Sequence, residues 1–156
     1  MTSTTTQNHS DASVLEPEEG RFLEGLRVRV LASGATTGGM TCVMTCVNPG
    51  PGGPPLHIHR GHDEWYFVMA GRYRFKIEDT VHEGGPGTFA YVPRGVVHTF
   101  ASVGTKEGRL ISASMPAGLE HFLERMEELN RRGAAPEEYE ALHREYDSEI
   151  VGPPLF

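Results

Sequence analysis

The sequence is poor in basic side chains, in cysteine and in long apolar runs. Its 156 residues hold 14 Lys and Arg against 21 Asp and Glu, which gives a formal net charge of −7. This shortage of positive charge argues against a nucleic-acid partner and against binding to an anionic membrane surface. No apolar run reaches the roughly 18 residues that a membrane-spanning helix needs, so we expect no membrane segment.

The N-terminus also lacks an apolar stretch. It begins MTSTTTQNHSDAS, which is polar throughout and therefore does not have the apolar core of a signal peptide. We expect a disordered tail over residues 1–20. The remaining length fits one domain.

Cysteine is scarce, with Cys42 and Cys46 standing four residues apart in the strand-like stretch MTCVMTCV. On a strand the two side chains would share a face but lie about 13 Å apart. That separation is too large for a disulfide, so we expect two small buried hydrophobic side chains. The cysteine usage therefore favours a cytoplasmic protein.

From residue 26 to about residue 115, short apolar runs alternate with Gly and Pro turns, which predicts an all-β domain. The stretch LRVRVLAS alternates with period two, and NPGPGGPP has the composition of a turn cluster. EWYFVMAGRYRFKIED predicts a hairpin that turns at Ala70 and Gly71. On its second arm, Tyr73 and Phe75 are expected to face inward.

After Pro116 the pattern becomes helical. The stretch GLEHFLERMEELNRRG places apolar residues on one face and ends at Gly133, and Pro136 suits the first turn of a further helix. We predict helices over roughly 118–132 and 136–147 that pack against the β domain. The apolar face of the first predicted helix consists of Leu119, Phe122, Leu123, Met126 and Leu129.

Imidazoles and carboxylates are concentrated in PPLHIHRGHDEWYF. His57 and His59 are two apart, so on a strand they point to the same face, with about 6.5 Å between them, and can converge on one ion. Glu64 follows past a bend at Gly61, and His98 opens a later strand. Three imidazoles and a carboxylate suit one divalent transition metal, Ni, Fe, Mn, Co, Cu or Zn. We interpret His62, between these residues, as a solvated loop residue.

This spacing resembles the first motif of the cupin superfamily, G-x5-H-x-H-x(3,4)-E-x6-G. The sequence matches it as His57-x-His59-x4-Glu64-x6-Gly71. The leading glycine is the exception, because Pro51 stands at that position.

The second cupin motif, G-x5-P-x-G-x2-H-x3-N, is matched by Gly87, Pro93, Gly95 and His98. Ser102 replaces the final Asn. The resemblance implies an all-β fold, a double-stranded β-helix or jelly-roll barrel over residues 21–116 with a C-terminal helical extension over 117–156. The metal ligands that it implies are His57, His59, Glu64 and His98.

The C-terminal part, with its Gly-Pro-Pro-Leu ending, also resembles bacterial single-domain cupins similar to quercetin 2,3-dioxygenase. This resemblance implies a metal-dependent dioxygenase that uses dioxygen to oxidise a flavonol or related enolisable polyphenol, with Glu64 as ligand and general base. Tyr66, Phe75 and Phe100 would form the apolar pocket for this small aromatic substrate.

Two other functions stay open at this point. One is a non-oxidative isomerase, cyclase or lyase of natural-product or sugar metabolism that uses its metal as a Lewis acid. The other is a ligand-binding or regulatory cupin. For any of the three we expect a homodimer, the commonest oligomer.

Overall fold

The computed structural model describes residues 12–156, so residues 1–11 of the predicted tail lie outside it. Residues 12–20 contain neither helix nor strand and lead into the first strand. The strands are β1 Arg21–Leu23, β2 Val28–Ala32, β3 Cys42–Asn48, β4 Leu56–His59, β5 Asp63–Ala70, β6 Arg72–Ile77, β7 Thr80–Gly84, β8 Phe89–Val92, β9 His98–Val103, β10 Gly108–Met115 and β11 Ser148–Gly152. The helices are α1 Gly34–Thr37, α2 Leu119–Arg132 and α3 Pro136–Glu145.

The strands form two antiparallel sheets. The first has the order β1-β2-β3-β10-β5-β8 and the second the order β11-β4-β9-β6-β7. Strands β3, β10, β5 and β8 therefore face β4, β9, β6 and β7 as the two layers of a jelly roll, while β1, β2 and β11 extend its edges. This arrangement, with its C-terminal helices, confirms the predicted fold class.

The predicted hairpin between β5 and β6 is wrong. Strand β5 pairs with β10 and β8, whereas β6 pairs with β9 and β7. The chain thus crosses from one sheet to the other at Gly71, which has φ of +78°. A Cβ at Gly71 would lie 2.8 Å from the Cα of Gly108, so the crossing also needs the missing side chain. The alternation of inward and outward side chains is the same whether successive strands pair or face each other across the barrel. The sequence pattern therefore could not distinguish these two outcomes.

The C-terminal segment contains a further strand, β11, which the sequence did not predict. It pairs antiparallel with β4, and Ser148 lies opposite His59 while Ile150 lies opposite His57. The C-terminus therefore supports the strand that carries two of the predicted ligands.

Two separate hydrophobic cores hold the chain together. The barrel interior contains Tyr66, Val68, Tyr73, Phe75, Val92 and Leu110. The other core lies between the extended part of the first sheet and the helices, and it contains Leu23, Val28, Val30, Cys42, Met44, Leu119, Phe122, Leu129 and Leu142. Half-buried Cys46 touches both cores.

The helical pair α2 and α3 follows the predicted bounds closely. The buried residues of α2 include Leu119, Phe122 and Leu129, so its apolar stripe packs within the chain. Each such side chain contributes roughly 1.5–3 kcal/mol on burial, which makes docking of the helices favourable. None of the helices over residues 12–156 has the length and apolar character needed to cross a membrane.

A buried carboxylate ties this helical pair to the sheet. Glu120 is 1% exposed and accepts hydrogen bonds from the backbone N–H groups of Gly34 and Gly118, each at 2.7 Å. Burial raises the pKa of Glu120, but the hydrogen bonds from Gly34, Gly118 and its own N–H hold that pKa below its usual range. The charged form of Glu120 therefore stabilises the native state.

Replacement of this carboxylate, Glu120→Gln, is expected to lower the free energy of unfolding at pH 7 by about 2–3 kcal/mol. The amide nitrogen would face a backbone donor and leave it unpaired. Because the folded pKa lies below the unfolded value, the contribution is complete above about pH 4–5 and is lost as the pH falls through the folded pKa. Urea denaturation at pH 7 and at a pH below about 4 measures the free energy of unfolding under the two conditions. Glu128→Gln, which changes an exposed residue of the same helix, is the control. An equal loss of unfolding free energy in Glu120→Gln and Glu128→Gln would contradict the stabilising role of Glu120.

Candidate metal centre

Three strands bring the predicted ligands together. His57 and His59 lie on β4, Glu64 is the second residue of β5, and His98 begins β9. His57 lies directly opposite His98 in the second sheet, and Glu64 faces them from the first sheet. One ligand atom from each of these four residues lies within 4.8 Å of all the others. The same-face rule for residues two apart on a strand places both β4 imidazoles toward this point.

Backbone carbonyls orient two of the imidazoles. The Nδ1 of His57 lies 2.7 Å from the carbonyl oxygen of Pro55, and the Nδ1 of His98 lies 2.9 Å from that of Val96. Since a carbonyl only accepts, each Nδ1 carries the proton. In the neutral ring the lone pair is then on Nε2, which points into the cluster, as metal-binding histidines require.

Burial sets the charge of these groups. It lowers the pKa of His57 to about 4 and that of His59 to about 3, so both rings are neutral near pH 7. Burial raises the pKa of the Glu64 carboxyl, but the nearby imidazoles of His59 and His98 hold it well below its usual range. The cluster thus offers the neutral imidazoles of His57 and His59 and one anionic oxygen from Glu64.

The contact between His98 and Glu64 fits a cation at this position. The Nε2 of His98 and the Oε2 of Glu64 are 2.8 Å apart, and both residues are nearly inaccessible, at 2% and 3% exposed. A metal ion that binds both atoms is compatible with this distance. Metal bonds of about 2.0–2.2 Å to nitrogen and oxygen would separate neighbouring ligands by roughly 3 Å. The donor set and its spacing therefore suit a divalent transition metal.

The three predicted pocket residues lie on the barrel side of this cluster. Tyr66 and Phe75 are 3% and 2% exposed, and Phe100, half-buried, lies opposite Phe75 on the neighbouring strand. The ring centroids of Tyr66 are 5.8 Å from Phe75 and 5.1 Å from Phe100, so the three rings pack together. Tyr66 has a further contact, because its hydroxyl donates to the Oε2 of Glu64 at 2.9 Å. The spacing of two residues between Glu64 and Tyr66 placed both on one face, but did not predict this hydrogen bond.

His62 lies in a loop, as interpreted, but it is not solvated. Its side chain is only 11% exposed, and its ring lies 4.4 Å from that of His59. Its Nε2 is 3.8 Å from the Oε1 of Glu64, and it has no hydrogen-bond partner within residues 12–156. The turn at Gly61 folds this side chain back over the cluster, which local spacing did not indicate.

Asp63 fixes the turn that precedes His98. Its Oδ1 accepts hydrogen bonds from the backbone N–H and the Nε of Arg94, at 2.9 and 3.0 Å. The backbone N–H of Gly95 donates to the carbonyl oxygen of His59 at 2.7 Å. These bonds connect the turn to the strands that carry the other ligands.

A cavity of about 240 Å³ reaches the cluster from the helical side. His59 and His62 line it on the barrel side, and Leu119, Phe122 and Tyr146 line it on the side of the helices. The sequence predicted that the helices pack on the barrel, and the structure shows that they also enclose space beside the candidate metal centre.

Comparisons with known proteins agree with this geometry. The family model described as a cupin domain matches residues 43–123, a range that includes all four residues of the cluster. A search of curated proteins finds no match to this sequence.

Solved structures share the fold at low sequence identity. KdgF from a Halomonas species has a TM-score of 0.54 and 15% identity, over 60% of this chain and 81% of KdgF. A conserved protein with a double-stranded β-helix domain from Klebsiella pneumoniae has a TM-score of 0.51 and 16% identity, over 58% of this chain and 76% of that one. A mutant of the oxalate decarboxylase OxdC from Bacillus subtilis has a TM-score of 0.51 and 15% identity, over 58% of this chain and 26% of OxdC. At these identities the likeness concerns the fold alone.

Proposed function

This chain belongs to the cupin family, and we propose that it is a metal-dependent dioxygenase acting on a flavonol or related enolisable polyphenol. The observation that carries the proposal is the buried cluster of His57, His59, Glu64 and His98, whose ligand atoms lie within 4.8 Å of one another. The metal is one of Ni, Fe, Mn, Co, Cu or Zn, since neutral imidazoles with one carboxylate suit all of these ions.

A divalent ion held by His57, His59, Glu64 and His98 would supply Lewis acidity toward a substrate hydroxyl. Glu64 is the proton acceptor from that hydroxyl. Its Oε2 is held by Tyr66 and lies against His98, so its Oε1 is the oxygen that takes the proton. The ionised substrate then supplies the four electrons that reduce dioxygen, and the O–O bond breaks as both oxygen atoms form bonds to substrate carbons.

We also propose that Tyr66, Phe75 and Phe100 form the apolar side of the site. Their rings fill the barrel next to Glu64 and exclude water from its Oε2 side. A dry surrounding strengthens each electrostatic interaction at the reacting oxygen.

A second candidate is a non-oxidative lyase, isomerase or cyclase that uses the same centre as a Lewis acid. The observation that favours it is the ligand set itself, because a metal held by three imidazoles and one carboxylate can polarise a substrate oxygen without dioxygen. OxdC, which shares the fold, is named as a decarboxylase, and decarboxylases are lyases.

Oxygen uptake distinguishes the two candidates. With protein loaded with each of the six metals, we expect a hydroxyflavone bearing a free 3-hydroxyl to consume one dioxygen per molecule. Its 3-methoxy analogue, which has no proton to give to Glu64, is expected to consume none. Conversion of the hydroxyflavone without oxygen uptake would favour the non-oxidative enzyme, and tight metal binding without any turnover would favour a binding protein.

The proposed partners are the small aromatic substrate, dioxygen and a second copy of the chain. The outer face of the first sheet exposes Phe67, Met69, Phe89 and Tyr91, at 39–60% of their surfaces. A continuous apolar face of this kind supports a homodimer, which sedimentation velocity would detect. The thiols of Cys42 and Cys46 are free, which supports the cytoplasm as the compartment.

A further inference from the structure

The cavity between the barrel and the helical pair is built differently on its two sides. On the barrel side it is lined by the imidazoles of His59 and His62. On the other side it is lined by apolar and aromatic side chains of the C-terminal extension, Leu119, Phe122 and Tyr146. Leu119 and Phe122 are each 7% exposed and belong to the second hydrophobic core, so this wall is fixed by packing. A pocket with one apolar wall and a few convergent polar groups suits a small organic ligand.

We propose that this cavity is the substrate-binding site and that it takes one neutral hydroxylated aromatic ring. The inference rests on the proposed function and adds to it the location and the charge of the substrate. The ring would pack against Phe122 and Tyr146, with its hydroxyl groups directed toward His59 and the cluster. Offset or edge-to-face packing of such rings adds to the burial of their apolar surface.

His62 supplies the polar contact for the substrate. Its Nε2 is buried and has no hydrogen-bond partner in the described part of the chain. A buried polar atom of this kind is costly unless a partner arrives. The nearest carboxylate oxygen, Oε1 of Glu64, is 3.8 Å away, beyond hydrogen-bond distance. A substrate hydroxyl in the cavity can satisfy the Nε2 of His62.

Size and charge define the class of ligand. At about 240 Å³ the cavity is smaller than the roughly 300–1,000 Å³ typical of drug-sized ligands, so it accommodates one ring and leaves further rings of a polyphenol at its mouth. Glu145 and Asp147, both exposed, line this mouth. Glu145 is paired with Arg125 at 3.0 Å, and the chain as a whole carries a charge of −7. This surrounding disfavours a carboxylated ligand relative to a neutral one.

Equilibrium binding tests the proposal without relying on turnover. The full chain, loaded with Zn²⁺ and kept under an oxygen-free atmosphere so that no oxidation occurs, is titrated calorimetrically with catechol and with 3,4-dihydroxybenzoate, which differs by one carboxylate. The metal content is measured before and after each titration. We expect the carboxylated compound to bind at least ten-fold more weakly than catechol.

Two variants change the cavity and one serves as the matched control. Ala117→Leu fills the cavity from the loop before α2, and His62→Phe keeps the ring but removes its nitrogens. Both are expected to weaken catechol binding at least ten-fold with the metal content unchanged. Ala141→Leu, an exposed alanine of the same helical extension outside the cavity, is expected to bind catechol like the wild type.

Failure of this proposal differs from failure of the proposed function. The cavity assignment is overturned if catechol does not bind, or if Ala117→Leu and His62→Phe bind it like the wild type. Equal affinity for the carboxylated compound would overturn the charge selectivity. If the expected binding pattern is found but the metal-loaded wild type consumes no oxygen, the cavity assignment stands and the dioxygenase proposal fails.

Discussion

Replacement of His57 or His98 by alanine is expected to remove the metal from the protein. Each variant deletes one of three imidazole ligands and leaves three of the four donors. Loss of a partner that merely orients a metal ligand costs about 10–100-fold in affinity, so loss of the ligand itself should cost at least the upper value. Metal analysis after dialysis against a weak chelator should give about one ion per wild-type chain and less than a tenth of that for either variant.

Two controls separate lost ligation from lost structure. His121→Ala removes an exposed imidazole on α2 that lies outside the cluster, and it should retain the metal. Circular dichroism should show that both ligand variants keep the β-sheet signal, since they leave every hydrophobic side chain of the barrel core in place. Stoichiometric metal in both His57→Ala and His98→Ala would show that the site is misassigned.

The same variants should also change stability. A ligand that binds only the native state stabilises it by RT ln(1 + [L]/Kd), or about 2.7 kcal/mol at one hundred times Kd. Addition of metal should therefore raise the melting temperature of the wild type and of His121→Ala, but not that of His57→Ala. Metal removal by a strong chelator should lower the melting temperatures of the wild type and of His121→Ala to their metal-free values.

The candidate ligands could be predicted from the sequence because their arrangement follows from local rules. Residues two apart on a strand share a face, which places His57 beside His59 without reference to the rest of the chain. The turn chemistry of Pro93 and Gly95 likewise marks the position at which His98 begins its strand. The two-residue spacing and the turn residues have the same meaning in any fold that places these strands in a barrel.

Contacts between distant segments could not be predicted in this way. The side-chain alternation of β5 and β6 is compatible with a hairpin and with a crossing between sheets, and only the whole topology decides between them. The pairing of β11 with β4 joins the end of the chain to its middle. His62 was misinterpreted for the same reason, because its burial depends on helices about 60 residues later in the sequence.

Glu120 shows the same limit for a charged residue. At sequence level it is one of several acidic residues in an amphipathic helix, and acidic residues usually face water. The structure buries it because two backbone N–H groups, from Gly34 and Gly118, need an acceptor at the point where α2 meets the sheet. Only the three-dimensional arrangement of these donors identifies Glu120 as structural.

Substitution of the remaining ligand, Glu64→Gln, is expected to reduce turnover at least about 100-fold while the protein keeps part of its metal. Three imidazoles can hold a divalent ion without a carboxylate, and glutamine keeps the shape and one coordinating oxygen. The variant loses the negative charge and the basicity of the group that we propose as proton acceptor, and a lost general base costs about 10²–10⁴-fold. Oxygen uptake with a hydroxyflavone, expressed per bound metal ion, measures the effect.

The comparison depends on equal metal occupancy, because lost metal would imitate a lost base. Glu78→Gln, an exposed residue of the β6–β7 turn outside the cluster, provides the control and should turn over like the wild type. Tyr66 can still donate its hydroxyl hydrogen to the amide oxygen of Gln, so the buried hydrogen bond that holds this side chain is retained. A loss of turnover would then report the missing proton acceptor rather than a displaced side chain. Wild-type turnover by Glu64→Gln at matched occupancy would make Glu64 a spectator ligand, and the Lewis-acid mechanism without a carboxylate base would replace the one proposed here.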